Sequence, residues 1–235
     1  MKELTAWLAQ DCFMSLEGES IRQGLPVIFV RFMGCNLRCA SEKYPDCKCD
    51  SEYSFSKTDL SREVTVEGLM ERIKTFPCKR VSITGGEPLL PSRKDFMRDF
   101  LKELVASGYE VTIETNGSQD IEWVETEFPE VIIIGDWKCP VAFGAKTNHS
   151  MLEKNLELYK EKDALKFVVA KEDFGEVEKV LSSHPNLKAQ VFLSPAWGTV
   201  EFADVADWII KHPEFKTRLS LQVHKIIWDK NNIWA

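Results

Sequence analysis

The chain has 235 residues, of which 44% are hydrophobic and 29% charged. This composition indicates a folded globular protein with one large domain or two small ones, and it excludes collagen-like and disordered chains. The 30 Lys and Arg against 37 Asp and Glu give a net charge of −7, which disfavours nucleic-acid partners, and no apolar run reaches the ~18 residues that a membrane span needs.

Apolar runs alternate with amphipathic stretches along the chain. Strands are predicted at 27–32, 80–84, 110–114, 130–134, 165–170, 189–193 and 219–224. Helices are predicted at 65–76, 93–107, 151–159, 174–183 and 202–211. This alternation predicts βαβ units and a mainly parallel sheet, which is an α/β fold. Six or seven repeats are too few for a full eight-fold barrel, so an open, partial βα barrel is favoured.

A polar, turn-rich segment at 41–59 is predicted to be a long loop after the first barrel strand. Four of the seven cysteines lie within or just before it, at Cys35, Cys39, Cys47 and Cys49. Because the amino terminus lacks a secretory signal, we expect a reducing cytoplasm, where clustered cysteines indicate a metal or redox site rather than disulfides. The Cys-x3-Cys-x7-Cys-x-Cys spacing does not match the paired Cys-x2-Cys of ordinary zinc modules.

Three motifs follow three of the predicted strands directly. They are the cysteine loop from Gly34 to Cys39, the Gly85-Gly86-Glu87-Pro88 turn, and the sequence Glu114-Thr115-Asn116-Gly117. In a βα barrel the loops at the carboxyl ends of the strands build the active site. Paired glycines let the backbone approach a ligand closely, and a carboxylate, hydroxyl and amide side by side suit a ribose or an amino group.

In this order the motifs resemble the radical S-adenosylmethionine superfamily and, within it, the 7-carboxy-7-deazaguanine synthase family. Further matching segments are Ser15–Ser20, Phe29–Cys39, Cys49–Ser51, Asp136–Pro140 and Leu221–Lys225, so the resemblance runs from about residue 10 to about residue 230. It implies a single domain of the radical S-adenosylmethionine type over residues 1–235, a partial barrel with a cysteine-rich cluster loop at about 34–59.

The resemblance implies that three cysteines hold a [4Fe–4S] cluster whose fourth iron binds S-adenosylmethionine. Cys35 and Cys39 have the family spacing, but about seven extra residues precede Cys49. Cys49 is the expected third ligand because Asp50-Ser51 follows it, and Cys47 is the alternative, able to replace Cys39 or Cys49. The family has an aromatic residue before its third cysteine, where this chain has Lys48, so Tyr44 and Tyr53 are candidate substitutes.

The same resemblance assigns the remaining site residues by position. Contacts with S-adenosylmethionine are expected from Gly85, Gly86, Glu87, Glu114, Asn116 and Lys138. Contacts with a pterin substrate are expected from Leu16, Glu17, Gly18, Glu19, Arg31 and Thr84. The family often has Gln at the position of Glu17, and its Mg²⁺-binding hydroxyl corresponds to Ser51.

Several of these residues have a structural alternative. Arg31 interrupts an apolar strand, and a buried cation needs a partner, which is either a substrate carboxylate or an ordinary salt bridge. Glu114 either contacts the cofactor or caps a helix, and Ser51 either binds Mg²⁺ or serves as a helix N-cap. His224 either acts directly or packs as a core histidine.

The implied activity is that of a radical carbon–nitrogen lyase in the queuosine or 7-deazapurine pathway. It converts 6-carboxy-5,6,7,8-tetrahydropterin to 7-carboxy-7-deazaguanine with loss of ammonia. A homodimer, a flavodoxin- or ferredoxin-type electron donor, and no nucleic-acid or membrane partner are expected. The alternatives are a glycyl-radical activating enzyme and a non-catalytic zinc-binding module, and whether the carboxylate of Ala235 reaches the substrate stays open.

Overall fold

The computed structural model describes residues 4–228, and the Ala235 carboxylate therefore lies outside the described residues. The strands are β1 (Thr5–Leu8), β2 (Phe13–Leu16), β3 (Pro26–Phe32), β4 (Arg62–Thr65), β5 (Arg80–Gly85), β6 (Glu110–Thr115), β7 (Ile132–Lys138), β8 (Ala164–Val169), β9 (Gln190–Pro195) and β10 (Arg218–Leu219). The helices are α1 (Val66–Lys74), α2 (Lys94–Ala106), α3 (Glu122–Glu127), α4 (Pro140–Phe143), α5 (Ala145–Asn148), α6 (Lys154–Leu158), α7 (Phe174–Ser183), α8 (Phe202–Lys211) and α9 (Val223–Ile227).

All these strands belong to one sheet in the order β10-β9-β8-β7-β6-β5-β3-β1-β4, with β2 also paired to β3. Every neighbouring pair from β3 to β10 is parallel, whereas β1, β2 and β4 pair antiparallel. Over the described residues the sheet begins and ends on different strands and is open. The predicted α/β class with a partial, mainly parallel barrel is confirmed.

Aromatic packing anchors the strand that carries the cysteine loop. Phe32 ends β3 and meets Phe96 and Phe100 of α2 edge-on, with ring centroids 5.9 and 6.4 Å apart. All three rings are at most 2% exposed, and full burial of such a side chain contributes roughly 1.5–3 kcal/mol. The carboxyl end of β3 is therefore held firmly against the helix layer.

The strand predicted at 130–134 lies further along the chain than expected, because Val131 donates its N–H to the Phe128 carbonyl and the chain is still turning there. The strand β7 instead continues to Lys138, which places Asp136 and Lys138 at its carboxyl end. The shift places two charged side chains, which the predicted strand did not include, at the edge where the parallel strands end.

The strand predicted at 219–224 is wrong beyond residue 219. Its last sheet contact is the Ser220 N–H to the Leu193 carbonyl, after which the Val223 N–H bonds to the Gly18 carbonyl and α9 begins. The buried side chain of Gln222 also donates to Glu19. The alternating apolar residues resemble a strand, but these polar contacts turn the chain over the end of the sheet.

The short antiparallel strands β1, β2 and β4 were not predicted, since four residues each give too little periodicity to detect. The predicted loop at 41–59 contains a single 3-10 turn at Glu52–Ser54. Over residues 4–228, no helix has the length and apolar character needed to cross a bilayer.

Candidate active site

The carboxyl ends of five neighbouring strands bring the predicted site residues together. Arg31 on β3 lies in register with Thr84 on β5, and Asp136 on β7 lies in register with Lys166 on β8. Between them, the Thr84 hydroxyl donates to Glu114 of β6 at 2.9 Å. Side chains in register point to the same face of a sheet, so these polar and charged groups lie on one side of it, at the strand ends, in the region called the pocket below.

The paired glycines lock the cysteine loop onto the end of β5. A Cβ atom on Gly85 would lie 2.1 Å from the Phe32 carbonyl oxygen, and one on Gly86 would lie 2.1 Å from the Gly34 carbonyl oxygen. The Gly86 and Glu87 N–H groups bond to those same carbonyls at 2.9 and 2.8 Å. Only glycine permits this backbone contact.

Glu87 ties the same turn to the next strand. Its buried carboxylate accepts from the Leu89 N–H at 2.9 Å, the Thr115 hydroxyl at 3.0 Å and the Asn116 N–H at 2.8 Å. Burial raises the pKa of Glu87 to about 7, although these donors act to lower it. Glu87 thus holds two site loops together, and its contact with S-adenosylmethionine stays a prediction.

The extra residues between Cys39 and Cys49 form a small hairpin. Ala40 and Lys48 make an antiparallel bridge, and the Cys49 N–H donates to the Cys39 carbonyl at 3.1 Å. The two cysteines therefore lie opposite each other at the open end of the hairpin. The insertion closes on itself and leaves Cys39 and Cys49 adjacent in space despite their separation in sequence.

Cys47 lies near the tip of this hairpin and has other neighbours. Its thiol donates to the Ala142 carbonyl at 3.4 Å. Burial raises its pKa, and the charges that modify this pKa are on Asp173, Lys225 and Asp50. The structure does not bring Cys47 into the group formed by the other three cysteines.

Three thiols do interact with one another. Burial raises the pKa of Cys39 to about 11, the nearby Lys138 ammonium lowers it, and Cys49 and Cys35 raise it further. Burial also raises the pKa of Cys49, against the effect of Lys138. The Asn116 amide donates to the Cys35 sulfur at 3.5 Å. Cys35, Cys39 and Cys49 thus lie near one another, with Lys138 close to Cys39 and Cys49.

This donor set fits a [4Fe–4S] cluster. Soft thiolates are the ligands of such clusters, and three of them leave one iron open. Within residues 4–228, no three His, Cys, Asp or Glu side chains converge closely enough for a single metal ion. A four-iron cluster binds each cysteine at a different iron, so its ligands stand farther apart than those of one ion.

Lys166 forms the centre of an ion-pair network that also includes Lys138. Its ammonium lies 2.9 Å from Glu19 Oε2 and 3.5 Å from Asp136 Oδ1, and Asp136 also pairs with Lys138 at 2.6 Å. Burial alone would raise the pKa of Glu19, but Lys166 and the Gln222 amide at 2.7 Å lower it to about 2. Sequence reasoning missed Lys166, although a lysine inside an apolar strand is the same signal that drew attention to Arg31.

The segment from Leu16 to Glu19 lies between this network and α9. A Cβ atom on Gly18 would lie 2.1 Å from His224 Nδ1, so the imidazole packs directly on the glycine. Glu17 is 2% exposed, and its Oε1 accepts the Gly18 N–H at 3.1 Å. The pKa of Glu17 is raised to about 8, mainly by burial and secondly by the nearby Glu114 charge.

Arg31 has no ion pair among residues 4–228, and its buried Nε has no hydrogen-bond partner there. Its guanidinium carbon lies 5.8 Å from the centroid of the Tyr53 ring. The salt-bridge alternative therefore finds no partner in the described chain. Of the two candidate aromatic substitutes, Tyr53 lies beside Arg31, whereas Tyr44 donates to Glu172 at 3.0 Å.

Ser51 lies beside the third thiol of the group. Its hydroxyl donates to Asp50 Oδ1 at 3.0 Å and lies 4.0 Å from the Cys49 sulfur. Ser51 precedes the Glu52–Ser54 turn without capping it through its side chain. The N-cap alternative is not observed, and a hydroxyl beside a carboxylate offers the hard oxygens that Mg²⁺ prefers.

Comparisons with known proteins agree with this arrangement. The family model described as "4Fe-4S single cluster domain" matches residues 16–158. The 7-carboxy-7-deazaguanine synthase of Koribacter versatilis is 36% identical over 93% of this chain and 95% of its own length. That of Methanospirillum hungatei is 35% identical over 92% of this chain and 83% of its own length.

The fold has a solved counterpart as well. The crystal structure of QueE from Escherichia coli has a TM-score of 0.71 and 20% sequence identity, covering 92% of this chain and 93% of that one. The matches do not favour a glycyl-radical activating enzyme or a zinc-binding module. The suspected resemblance is confirmed: the chain belongs to the 7-carboxy-7-deazaguanine synthase family.

Proposed function

We propose that this chain converts 6-carboxy-5,6,7,8-tetrahydropterin to 7-carboxy-7-deazaguanine with loss of ammonia, in the queuosine or 7-deazapurine pathway. Two relatives named as that synthase match this chain over 95% and 83% of their own length. One structural observation carries the proposal: three neighbouring thiols and an arginine without an ion pair, whose buried Nε has no hydrogen-bond partner among residues 4–228, lie at the carboxyl ends of the parallel strands.

Cys35, Cys39 and Cys49 are the proposed ligands of the [4Fe–4S] cluster. The hairpin that sets Cys39 opposite Cys49 supports this choice, as does the separate environment of Cys47. When bound, the cluster and S-adenosylmethionine supply a radical that removes a hydrogen atom from the substrate. The chain contributes orientation, charge balance and exclusion of water.

The loops around the thiols are proposed to hold S-adenosylmethionine. Two observations support this role: Asn116 donates to the Cys35 sulfur, and the Lys138 charge acts on both Cys39 and Cys49. A ligand bound to the cluster therefore meets these side chains first. The proposed contacts are those expected from the sequence, namely Gly85, Gly86, Glu87, Glu114, Asn116 and Lys138.

The substrate is proposed to lie between Arg31 and the segment from Leu16 to Glu19. A guanidinium binds a carboxylate through two parallel hydrogen bonds, and the free Arg31 Nε supports a contact with the carboxylate of the pterin. The Thr84 hydroxyl donates to Glu114 and is also a proposed contact of the substrate. Ser51, beside Asp50, would hold a magnesium ion, which would supply positive charge for the carboxylate of the substrate.

We further propose a homodimer that receives electrons from a flavodoxin- or ferredoxin-type protein in a reducing cytoplasm. All seven cysteines are free thiols, in keeping with a reducing compartment. The net charge of −7 supports a small-molecule substrate rather than nucleic acid. Size-exclusion chromatography of the reconstituted protein tests the dimer.

The synthase activity is tested by incubating the anaerobically reconstituted, dithionite-reduced protein with carboxytetrahydropterin, S-adenosylmethionine and Mg²⁺. We expect a deazapurine product that forms only when S-adenosylmethionine and the reduced cluster are both present. A protein that holds iron but forms 5′-deoxyadenosine without any deazapurine would contradict the proposed substrate. A colourless protein holding one tight zinc ion would contradict the proposed cofactor.

A further inference from the structure

Two carboxyl groups in the segment from Leu16 to Glu19 have opposite surroundings. The Glu19 side chain meets the Lys166 ammonium at 2.9 Å and the Gln222 amide at 2.7 Å. Glu17 is 2% exposed, and its buried Oε2 makes no hydrogen bond of standard geometry among residues 4–228, although the nearby Ser82 hydroxyl lowers the pKa of this carboxyl. A buried polar atom without a partner is costly unless a ligand supplies one.

The cations near Glu17 are already engaged. Lys166 pairs with Glu19 and Asp136, both on its own side of the pocket. Arg22 donates to the carbonyl and the carboxylate of Glu110, at the opposite end of β6.

The other charged groups facing Glu17 do not compensate it. Glu114, projecting from β6, adds a negative charge that raises the pKa of Glu17. His224 packs against the neighbouring Gly18, and its pKa is lowered by burial in spite of Glu19, which favours the neutral imidazole. Glu19 also raises this pKa, and Lys166 lowers it without outweighing burial. An ionised Glu17 would therefore be a buried charge that shares Lys166 with Glu19 and Asp136.

We propose that the two carboxyl groups hold opposite protonation states: Lys166, paired with Glu19, keeps Glu19 an anion that accepts hydrogen bonds, whereas burial keeps Glu17 a neutral acid whose Oε2–H donates one to the substrate. The proposal rests on the proposed function for the identity of the ligand. It makes Glu17 a donor rather than a second acceptor, and it makes Lys166 a positioning residue for the reaction.

A pterin ring needs this combination because its edge carries N–H groups as well as carbonyl and ring-nitrogen acceptors. A carboxylate accepts only, whereas a protonated carboxyl both donates and accepts. With Glu19 and Glu17 both ionised, the segment would offer acceptors alone and would repel the substrate's own carboxylate. One anion and one neutral acid match the ring and reduce this repulsion.

The protonation states are tested without any turnover by measuring the free energy of unfolding against pH. The pKa of Glu17 rises from 4.5 to about 8 on folding, so its burial costs progressively more stability between those two pH values and no more above them. The Glu17→Gln variant removes this cost. We expect its stability advantage over the wild type to grow across that window and then level off.

The matched control is Glu19→Gln. The pKa of Glu19 falls from 4.5 to about 2 on folding, so its stabilising effect is complete above 4.5. This variant should be less stable than the wild type by an amount that stays constant across the window where the Glu17→Gln difference grows. A Glu17→Gln difference that is also constant would overturn the proposal.

The donor role is tested by the affinity of the reconstituted protein for carboxytetrahydropterin at several pH values. In the wild type the affinity should fall about tenfold for each pH unit above about 8, as Oε2 loses its proton. In Glu17→Gln the amide keeps its donor, so the affinity should not vary in this way. A wild-type affinity that is flat across pH 8 would overturn the donor role.

The two tests separate the claims. A protein that shows the predicted stability curves but neither binds nor converts the pterin would contradict the proposed function and leave the protonation states intact. A protein that makes the deazapurine while Glu17→Gln and Glu19→Gln show the same pH dependence of stability would contradict the assignment of protonation states alone.

Discussion

Two sides of the pocket are built by different physical means. The motif side comprises the cysteine loop at 34–49, the turn at 85–88 and the residues 114–117. Its loops are joined by backbone hydrogen bonds, such as the Gly86 N–H to the Phe32 carbonyl, and by glycines that leave no room for a side chain. Apart from the Glu87 carboxylate, which links the turn to Thr115 and Asn116, this side is fixed by main-chain contacts that side-chain rotation cannot relieve.

The ion-pair side comprises residues 16–19, 136–138, 166 and 222–224. It is held by contacts between side chains far apart in sequence, among them Glu19 with Lys166 and Glu19 with Gln222. Such groups move with their rotamers and their protonation states. The difference suggests that the motif side positions the cofactor rigidly, whereas the ion-pair side adjusts charge and hydrogen bonding to the substrate.

The sharpest way to test the motif side is to remove its thiols one at a time. Cys35→Ala, Cys39→Ala and Cys49→Ala should each abolish 5′-deoxyadenosine formation and lower the iron content, because each removes one cluster ligand. Cys47→Ala is the matched control from the same hairpin. Since the Cys47 thiol bonds to Ala142 instead, this variant should keep its cluster and its activity.

Two outcomes would contradict this ligand set. Full activity in Cys39→Ala would mean that Cys47 can act as a ligand. Loss of the cluster in Cys47→Ala, with the fold retained by circular dichroism, would show that the hairpin presents a different sulfur. Iron analysis together with electron paramagnetic resonance of the reduced cluster distinguishes both cases from simple unfolding.

Substitution of Arg31 tests whether substrate binding can be weakened without affecting the cofactor side. Arg31→Ala should raise the KM for carboxytetrahydropterin by roughly 10- to 100-fold, since a hydrogen bond to a charged group contributes about 1.5–3 kcal/mol. Uncoupled cleavage of S-adenosylmethionine should be unchanged, because the hydrogen bonds and ion pairs that Asn116 and Lys138, the side chains beside the thiols, make within residues 4–228 do not involve Arg31. Equal loss of both activities would indicate a structural role for this arginine.

The contrast also explains what the sequence could predict. Only glycine fits where two backbone segments are in close contact, so Gly85 and Gly86 stand out in the sequence as a local motif next to a strand end. The cysteines of the cluster loop likewise stand out as a local motif. The choice between Cys47 and Cys49 was not decidable from spacing, because it depends on how the inserted residues fold back through the bridge from Ala40 to Lys48.

The ion-pair side escaped prediction because its partners are distant in sequence. Lys166 and Glu19 are separated by 147 positions, and no local pattern joins them. The strand expected at 219–224 was wrong for the same reason, since Gln222 and Val223 form hydrogen bonds with the segment at 16–19 rather than with β9. Local periodicity indicates which elements form, but long-range side-chain pairs decide where the chain leaves the sheet.

Matched glycine substitutions compare the two sides most directly, and their expected effect is the smallest. In Gly86→Ala the new Cβ meets the Gly34 carbonyl and the Cys35 nitrogen, which are backbone atoms, so the cysteine loop must move. In Gly18→Ala it meets only the His224 ring, which can rotate away. We expect Gly86→Ala to lower the free energy of unfolding by about 2–3 kcal/mol and Gly18→Ala by about 1 kcal/mol.

A double-mutant cycle makes this comparison decisive. Combining Gly18→Ala with His224→Ala should recover most of the stability lost in Gly18→Ala, because the clashing ring is gone, and the coupling energy should be about 0.5–1 kcal/mol. Gly86→Ala has no side chain opposite it whose truncation could relieve its clash. If urea unfolding gave equal losses for the two glycines and no coupling with His224, the distinction between a backbone-fixed side and an adjustable side would fail.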